Sequence, residues 1–357
     1  MQRRQFITTA AAGSLLSLSA ASVSAKENAA IKAGQIGTKH AHASGQMETM
    51  RRLPDYEVVG VVEPDEEQWA RVGQTNAYKD VPRMTEEQLL NTVGLKAVAV
   101  ETVIRNSLAT AKRCIEAGMH VHIDKPAGES LNELKEVQAA ASKRSLTIQM
   151  GYMYRYNVGF EFLYRAVAAG WLGEIFEVHA VMSKTSNEQA RREMTEYPGG
   201  AMFELGCHLI DPLLHIMGTP TNVTPFNRST RSNEELLDNT LAVFEYPKAT
   251  ATVRSSLVEV DGFRRRQFVV CGTGGTIVIR RLEPPKLELT LSKPQGDFET
   301  GTHVVELPPH KGRYDGAWQA LAKSIRGEMS LQYSSDHDFN VQKAILAASG
   351  VQPWGNA

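Results

Sequence analysis

Short apolar strands alternate with amphipathic helices between residues 31 and 150, and this alternation limits the fold more than any other feature of the sequence. Residues 57–63 (EVVGVVE) form a nearly continuous apolar run, as a parallel strand buried on both faces requires. Strands interleaved with helices in this way predict a doubly wound, parallel α/β sheet. The predicted strands are residues 31–37, 57–63, 95–102, 120–124 and 147–150.

The pattern changes after Gly151, where strands begin to follow one another directly. A Gly-Thr-Gly-Gly turn at 272–275 joins two of them. Strands joined by hairpins predict a mostly antiparallel sheet with one open face, in a second α+β domain. We therefore divide the chain into residues 26–150 and 151–357. The predicted strands of the second domain are residues 174–182, 239–246, 250–258, 267–271 and 276–280, and helices are expected near 317–326 and 339–348.

Residues 1–25 have the composition of a twin-arginine export signal. Arg3 and Arg4 precede a run of apolar and small residues, and Val23-Ser24-Ala25 has the form of a cleavage site. The run is too short and too polar for a membrane span. We expect a protein exported to the periplasm, without a membrane anchor after cleavage, whose formal net charge changes from −1 to −3 when Arg3 and Arg4 are removed.

Charge and cysteine content exclude other classes of protein. A net charge of −1 provides no basic surface for nucleic acid. Cys114, Cys207 and Cys271 are scattered without metal-type spacing, so we expect buried thiols.

The turn after the first strand is an altered phosphate-binding loop. Aligned on G-x-G-x-x-G, residues 37–42 read Gly-Thr-Lys-His-Ala-His, so only the first glycine is kept. A dinucleotide pyrophosphate would then depend on Lys39 or on helix amides for positive potential. We expect Gly37, Thr38, Lys39 and His40 to contact the cofactor. The alternative, a metal held by His40 and His42, lacks a third nearby ligand, so no metal is predicted.

Glu63 ends the second strand at the spacing where an acidic side chain accepts hydrogen bonds from the adenosine ribose. A carboxylate at this position repels a 2′-phosphate. The sequence therefore favours NAD over NADP.

Two segments bear the predicted catalytic groups. Residues 120–126 (HVHIDKP) form a strand that ends in Lys125 and Pro126, at the edge where parallel sheets bind ligands. Residues 199–211 begin as a glycine turn and continue as a helix, on which Glu204, His208 and Asp211 share one face at spacings of four and three. We expect these carboxylates to orient His208 and raise its pKa, as a proton relay near neutral pH requires. An ordinary ion pair on a helix is the structural alternative.

Together these segments resemble the glucose-fructose oxidoreductase and inositol dehydrogenase family, often written Gfo/Idh/MocA. The matching motifs extend over nearly all of the chain after the signal: Ile-Gly at 36–37, A-G-x-H-V-x-x-(E/D)-K-P at 117–126, G-Y-x-x-R-Y-N at 151–157, Gly-Glu-Ile at 173–175, and G-G-x-x-x-(D/E)-x-G-x-H-x-x-D at 199–211.

The resemblance implies a Rossmann NAD(P)-binding domain and roles for individual residues. Lys125 would touch the substrate hydroxyl and the nicotinamide ribose, next to a cis Pro126. His208 would be the general acid/base, with Glu204 in place of the usual Asp. Three departures from the motifs affect the cofactor pose and the substrate: Asp124 replaces the commoner Glu, Glu204 is longer than Asp, and T-P-N-x-x-H appears as 102–106 (TVIRN). Further contacts implied are Thr102 and Asp124 to the cofactor and Arg155, Tyr156 and Asn157 to a sugar.

Hydride transfer between nicotinamide and a carbinol carbon of a sugar, polyol or glycoside is the reaction that the resemblance implies. A base must then take the hydroxyl proton while a cation stabilises the oxygen, and His208 and Lys125 divide these tasks in an order that the sequence leaves open. Two alternatives remain. One is a glycosidase that oxidises, eliminates and re-reduces on a retained NAD; the other is a ligand-binding protein without catalysis. The open sheet face predicts a homodimer or homotetramer.

Overall fold

The computed structural model describes residues 29–195, 197–309 and 312–355. The predicted export signal at 1–25 lies outside these described residues. Within them, every helix is too short or too polar to cross a membrane.

The first sheet has five parallel strands in the order β2-β1-β3-β4-β5 and confirms the predicted doubly wound fold. Its strands are β1 Ile31–Ile36, β2 Tyr56–Val62, β3 Leu95–Val100, β4 His120–Ile123 and β5 Ile148–Met150. The helices of this part are α1 Ala43–Arg52, α2 Glu66–Val72, α3 Glu86–Leu90, α4 Ile104–Glu116 and α5 Leu131–Lys143.

Local signals explain where these helices begin and end. Asp65 precedes α2 and accepts a hydrogen bond from the Gln68 amide at 3.0 Å. Thr85 and Gln88 form a capping box at the start of α3. After α4 the chain turns at Gly118, whose φ of 88° favours glycine.

The second sheet has eight strands in the order β13-β12-β11-β10-β6-β9-β8-β7, and only β6 and β9 pair in parallel. This confirms the predicted, mostly antiparallel sheet. Its strands are β6 Ile175–Val181, β7 Asn222–Arg228, β8 Asn239–Tyr246, β9 Ala249–Ser256, β10 Gln267–Gly272, β11 Gly275–Leu282, β12 Pro285–Leu291 and β13 Gly301–Val305. The helices are α6 Val158–Ala168, α7 Glu188–Met194, α8 Cys207–Met217, α9 Asp315–Ile325 and α10 Ser335–Ala348, and a π-helical turn, Met202–Gly206, precedes α8.

Three strands and α7 are additions to the sequence-based prediction. Two of the strands, β7 and β13, form the edges of the sheet. Pro225 lies inside β7 and Pro285 begins β12, and proline is accepted at edges and strand starts although it disfavours a strand in sequence patterns.

One face of the second sheet is covered by α6 and α8, and the other is open. A lateral row on the open face runs through Val243, Thr252, His179, Val269 and Val278, which are paired from strand to strand. All five side chains are only half-buried.

The chain returns to the first sheet near its end. The Tyr56 hydroxyl donates to the Trp318 carbonyl at 2.7 Å, and the Trp318 indole donates to Gln46 at 2.7 Å. Gln149 donates to the Ala317 carbonyl at 2.9 Å. The division at residue 150 therefore separates the two sheets, but α9 packs on the first of them.

Gly199 tests how tightly the second half of the molecule is built. It has a φ of 73°, and an added Cβ would lie 2.3 Å from the Ser349 Cβ. Gly170 has the same φ with open space around it, so it is a matched control. We expect Gly170→Ala to lower the free energy of unfolding by about 1–2 kcal/mol through backbone strain alone. Gly199→Ala should cost about 1–3 kcal/mol more because of the steric overlap. Denaturant unfolding measures both, and equal losses would show that the Ser349 contact yields without cost.

Candidate active site

Lys125 lies where the two halves of the chain meet. It follows β4, its bond to Pro126 is cis, and its side chain is 1% exposed. Its ammonium donates to the Glu204 carbonyl at 2.9 Å and lies 3.6 Å from the Glu204 carboxylate. Burial opposes the charge, but this carboxylate holds the pKa of Lys125 above its usual value. Lys125 is therefore a fixed, buried cation.

Asp124 organises the loop that follows β1. Its carboxylate accepts hydrogen bonds from the His42 ring at 3.0 Å, from Gln46 at 3.0 Å and from the Lys125 amide at 2.7 Å. Burial works against ionisation, but the surrounding imidazoles, with the hydrogen bond that His42 donates, hold the pKa of Asp124 well below its usual value. Since an ionised carboxylate only accepts, Nδ1 of His42 carries the hydrogen and Nε2 is the basic nitrogen.

His40 connects the same loop to the catalytic strand. Its Nδ1 accepts from the His42 amide at 3.2 Å, so Nε2 donates to the Lys125 carbonyl, 3.0 Å away. Burial lowers the pKa of His40 to about 4, and the ring is neutral. The sequence predicts that His40 contacts the cofactor; in the structure His40 is buried against the Lys125 main chain.

His208 completes the cluster. Its ring centre is 5.5 Å from that of His42 and 6.0 Å from that of Tyr154, and the residue is 2% exposed. Among the described residues its Nδ1 has no hydrogen-bond partner. Burial, Lys125 and His42 hold the pKa of His208 well below its usual value. The imidazole is neutral, so the expectation that neighbouring carboxylates raise its pKa is wrong.

The reason is the π-helical turn before α8. It has more residues per turn than an α-helix, so the spacing of four between Glu204 and His208 does not bring them together, whereas His208 and Asp211 both lie within α8. The Glu204 carboxylate is directed to Lys125 and to Lys184, whose amine is 3.8 Å away. Asp211 pairs instead with Arg155 at 2.7 Å and His337 at 3.1 Å. Neither acid forms a hydrogen bond with His208.

Arg155 and Asn157, which the sequence assigns to the sugar pocket, have structural contacts instead. Arg155 is buried between Asp211 and Asp338, with its guanidinium 4.1 Å from the Tyr333 ring centre. Asn157 caps α6 by accepting from the Gly159 amide at 3.0 Å. Tyr156 is half-buried, with its ring 6.3 Å from that of Tyr333.

A cleft of about 440 Å³ opens at the carboxyl ends of β1, β2 and β3. An added Cβ on Gly37, whose φ is 88°, would lie 2.8 Å from the Glu101 carbonyl oxygen, so the first turn requires glycine. The lining includes Gly37, Lys39, Glu63, Asp65, Thr102 and Arg105. Lys39 is engaged with Asp65 at 2.6 Å.

Glu63 fits the ribose-binding role at the floor of this cleft. One carboxylate oxygen accepts from the Thr38 amide at 3.0 Å and its hydroxyl at 2.7 Å, and the other accepts from the Asp65 amide at 3.0 Å. These three hydrogen bonds leave one lone pair of the carboxylate unused, and it can accept a hydrogen bond from a ribose hydroxyl. The glycine turn, the cleft and the acid at the end of β2 together fit the adenosine half of a dinucleotide.

His40, His42 and Asp124 also offer three metal-ligand atoms within 4.8 Å of one another. These atoms are already engaged with each other, and the neighbouring Lys125 charge opposes a cation. The absence of a metal stays a prediction.

Sequence reasoning missed several residues that build the cluster. The pairing of His42 with Asp124, the support from Gln46 and the ion pair of Lys184 with Glu204 all join distant segments. The H-x-H pattern in the loop after β1 is the local sequence signal for His42, and it says nothing about Gln46 or Lys184. Of the three predicted thiols, Cys114 and Cys207 are buried and Cys271 is half-buried, all without disulfides.

Comparison with known families agrees with this geometry. Residues 30–152 match the model of an oxidoreductase family with an NAD-binding Rossmann fold, and residues 160–278 match the GFO/IDH/MocA C-terminal domain. The chain belongs to the Gfo/Idh/MocA family of oxidoreductases.

Individual relatives are distant. The chain is 24% identical over 282 residues to scyllo-inositol 2-dehydrogenase (NADP(+)) IolW of Bacillus subtilis, which covers 73% of this chain and 78% of the relative. It is 28% identical over 261 residues to the oxidoreductase YhhX of Escherichia coli, with coverage of 67% and 73%. An oxidoreductase from Agrobacterium radiobacter, solved with NAD+, L-tartaric acid and magnesium, has a TM-score of 0.77 at 15% identity and covers 90% of this chain and 96% of its own. The likeness to the Agrobacterium radiobacter structure, at 15% identity, shows a shared fold and nothing more.

The buried position of Arg155 can be tested by stability. Arg155→Leu leaves Asp211 and Asp338 buried without their cation, so we expect a loss of about 3–5 kcal/mol in the free energy of unfolding. Lys248 pairs with Glu174 at the surface, and Lys248→Leu is the control, for which no measurable change is expected. Denaturant unfolding of both variants decides. A stable Arg155→Leu variant with weakened sugar binding would return Arg155 to the substrate pocket.

Proposed function

We propose that the protein is an NAD-dependent oxidoreductase that transfers a hydride between nicotinamide and a hydroxyl-bearing carbon of a sugar, polyol or glycoside. The observation that supports this most is a buried cluster that holds an amine 3.6 Å from the Glu204 carboxylate and an imidazole, His208, whose Nδ1 has no partner among the described residues. Lys125 is held charged and His208 is held neutral, next to the dinucleotide cleft. Oxidation of an alcohol needs both a cation and a proton acceptor.

Lys125 stabilises negative charge on the substrate oxygen. Its ammonium has three hydrogens, one of which is donated to the Glu204 carbonyl. The Glu204 carboxylate at 3.6 Å keeps the charge in place without removing the proton. The amine is therefore oriented before substrate binds, and preorganised charge of this kind is a large term in catalysis.

His208 accepts the hydroxyl proton. The ring is neutral before substrate binds, and its Nδ1 has no partner among the described residues. A neutral imidazole with an unsatisfied nitrogen in a buried site gains a hydrogen bond when a hydroxyl enters. The nearby Lys125 charge disfavours the imidazolium, so we infer that the proton leaves His208 promptly.

The proposed cofactor is NAD, which when bound supplies the hydride acceptor. Gly37, Thr38 and Glu63 would hold the adenosine side, and Thr102, Asp124 and Lys125 would lie toward the nicotinamide. IolW is an NADP(+) enzyme by name, so the preference for NAD in this chain rests on Glu63 alone. Acid release of nucleotide from the purified protein, followed by mass spectrometry, identifies the cofactor. Protein free of any nucleotide that also fails to bind NAD or NADP would favour the non-catalytic alternative.

A glycosidase that uses transient oxidation is the second candidate, because the site has two imidazoles. His42, aligned by Asp124, lies 5.5 Å from His208. Elimination of an aglycone needs an acid and a base in addition to the oxidation step, and two histidines can supply them. Product analysis separates the candidates. The glycosidase releases free sugar with no net change in NADH absorbance, whereas the dehydrogenase converts cofactor and sugar in equal amounts.

We also propose that residues 1–25 direct export and that the open face of the second sheet mediates a homodimer or homotetramer. The half-buried apolar row through Val243, Val269 and Val278 supports the second point. Amino-terminal sequencing of the exported protein tests the role of residues 1–25. Analytical ultracentrifugation tests the homodimer or homotetramer.

Lys125→Ala tests the proposed role of the lysine. We expect turnover to fall by about 100-fold or more, because the alkoxide-like charge loses its cation. Binding of NAD should change little, since Glu63 and Gly37, which would hold the adenosine side, are unchanged. Lys112→Ala removes a surface lysine paired with Glu136 and is the control. Steady-state kinetics and a cofactor titration provide the two readings, and undiminished turnover would remove Lys125 from the mechanism.

The pH profile tests the role of His208. The pKa of its imidazole lies well below the ordinary 6.5, and the base form is the one present above the pKa. For alcohol oxidation we expect kcat/KM to be flat from neutral pH down to below 6.5, and to fall only at lower pH as the ring is protonated. An acid limb centred at or above 6.5 would assign the base to another group.

A further inference from the structure

A second cleft, of about 350 Å³, lies in the second domain. Its walls come from the 3₁₀ turn Gly262–Arg265, the end of β11 and the segment before α9. Four guanidinium groups and a single carboxylate line it, together with an aromatic ring. These residues are Phe263, Arg264, Arg266, Arg281, Glu283 and Arg313.

Arg266 is buried, which distinguishes this cleft from an ordinary solvated patch of arginines. It is only 7% exposed, yet no carboxylate of the described residues lies within ion-pair distance of its nitrogens. Its Nε donates to the Ser183 carbonyl at 3.2 Å. Burial lowers the pKa of Arg266, and Tyr154, Glu283 and Glu204 oppose this only in part. A buried cation without a partner is costly, and an anionic ligand in the cleft would offset that cost.

The other charged side chains of the cleft also leave an excess of positive charge. The carboxylate of Glu283 is engaged by Arg313 at 2.7 Å, and Arg264 pairs with Asp261 at 2.8 Å. Arg281 is exposed and has no ion-pair partner among the described residues. Arg266 and Arg281 therefore remain available for a ligand.

The cleft is close to the catalytic cluster on two sides. Ser183 holds Arg266, and the next residue, Lys184, has its amine 3.8 Å from the Glu204 carboxylate. On the other side the Arg313 guanidinium is 6.0 Å from the Tyr314 ring centre, and that ring is 5.5 Å from His42. The positive charge of Arg266 also contributes to the lowered pKa of His208.

Phe263 provides an apolar surface at the mouth of the cleft. Its ring is 61% exposed, and the Arg266 guanidinium lies 3.8 Å from the ring centre. The cation and the ring thus form a single platform. A large exposed aromatic ring beside a charged cleft is typical of a binding surface, and a sugar ring presents C–H groups that can pack on it.

We propose that this cleft binds an oxyanion group of the sugar substrate, so that the enzyme acts on acidic sugars. The chemistry recognised is a carboxylate, sulfate or phosphate group, for which the planar guanidinium fork is suited. The proposal rests on the proposed oxidoreductase function and specifies its substrate class. A ligand anchored in this way by Arg266 and Arg281 extends toward Glu204 and His208.

Binding to the full-length enzyme with its cofactor tests the proposal without requiring turnover. Isothermal titration compares a hexuronate, a hexose 6-sulfate and a hexose 6-phosphate with the parent neutral hexose. We expect one or more of the anionic sugars to bind at least about tenfold more tightly than the neutral hexose, with an affinity that falls as salt is raised. The three anionic ligands distinguish the source of the charge. Equal affinity for charged and neutral sugars, or no binding of any of the three, would overturn the proposal.

Substitutions place the anion within the cleft. Arg281→Gln and Arg266→Gln should each weaken binding of the preferred anionic sugar by about tenfold or more and leave the neutral hexose unaffected. Arg265→Gln is the matched control, because Arg265 is adjacent in sequence, pairs with Glu259 and does not line the cleft. Arg281 is exposed, so its variant remains informative if Arg266→Gln does not fold. An equal effect of Arg265→Gln would reduce the result to non-specific charge and contradict the assignment.

The Glu283→Gln variant and a spectral measurement complete the test. Removing the Glu283 carboxylate should strengthen binding of the anion, because Arg313 is released. If an acidic sugar binds through Arg281 but never changes the nicotinamide absorbance, the cleft stands and the proposed function fails. If neutral sugars are oxidised as well as acidic ones and Arg281→Gln has no effect, the function stands and the cleft proposal fails.

Discussion

The contact between Lys125 and Glu204 is the interaction on which the rest of the site depends. A strand-end amine of the first domain donates to a main-chain carbonyl of the second and lies 3.6 Å from its carboxylate. Both groups are buried, and a buried ion pair is stable only with good geometry and additional hydrogen bonds. The two halves of the molecule enclose this pair, so the charged amine is shielded from solvent. It also lowers the pKa of neighbouring imidazoles, so His208 is neutral and, in the proposed mechanism, free to accept a proton.

The phosphate loop has been rebuilt around the same strand end. Lys39 and His42 stand where the second and third glycines of G-x-G-x-x-G belong; His42 donates to Asp124, and His40 between them donates to the main chain of Lys125. The loop therefore supports the catalytic strand as well as bordering the cofactor cleft. This accounts for the survival of only Gly37, whose positive φ and close approach to Glu101 no other residue accommodates. The cationic cleft around Arg266 lies near the same cluster, because Lys184, next to Ser183, has its amine 3.8 Å from the Glu204 carboxylate.

Much of the fold was predictable because its signals are local. Apolar runs predicted all five strands of the first sheet and five of the eight strands of the second. The edge strands of the second sheet were not predicted, because β7 and β13 have few buried positions and β7 contains a proline. The catalytic pair was predictable to the extent that family motifs mark Lys125 and His208. The partners of the nearby acids were not, because a π-helical turn changes the direction of Glu204 and a distant His337 takes Asp211.

By itself, the sequence determined most of the secondary structure, the presence of two sheets and the position of a lysine at a strand end, because periodicity and short spacing decide these. The tertiary structure alone decided which charges meet. Lys125 and Glu204 are 79 residues apart, and Arg266 is buried without a carboxylate only because β10 brings it under Ser183. Protonation states and ligand charge follow from such long-range contacts, since burial and neighbouring charges shift a pKa while sequence neighbours do not reveal them.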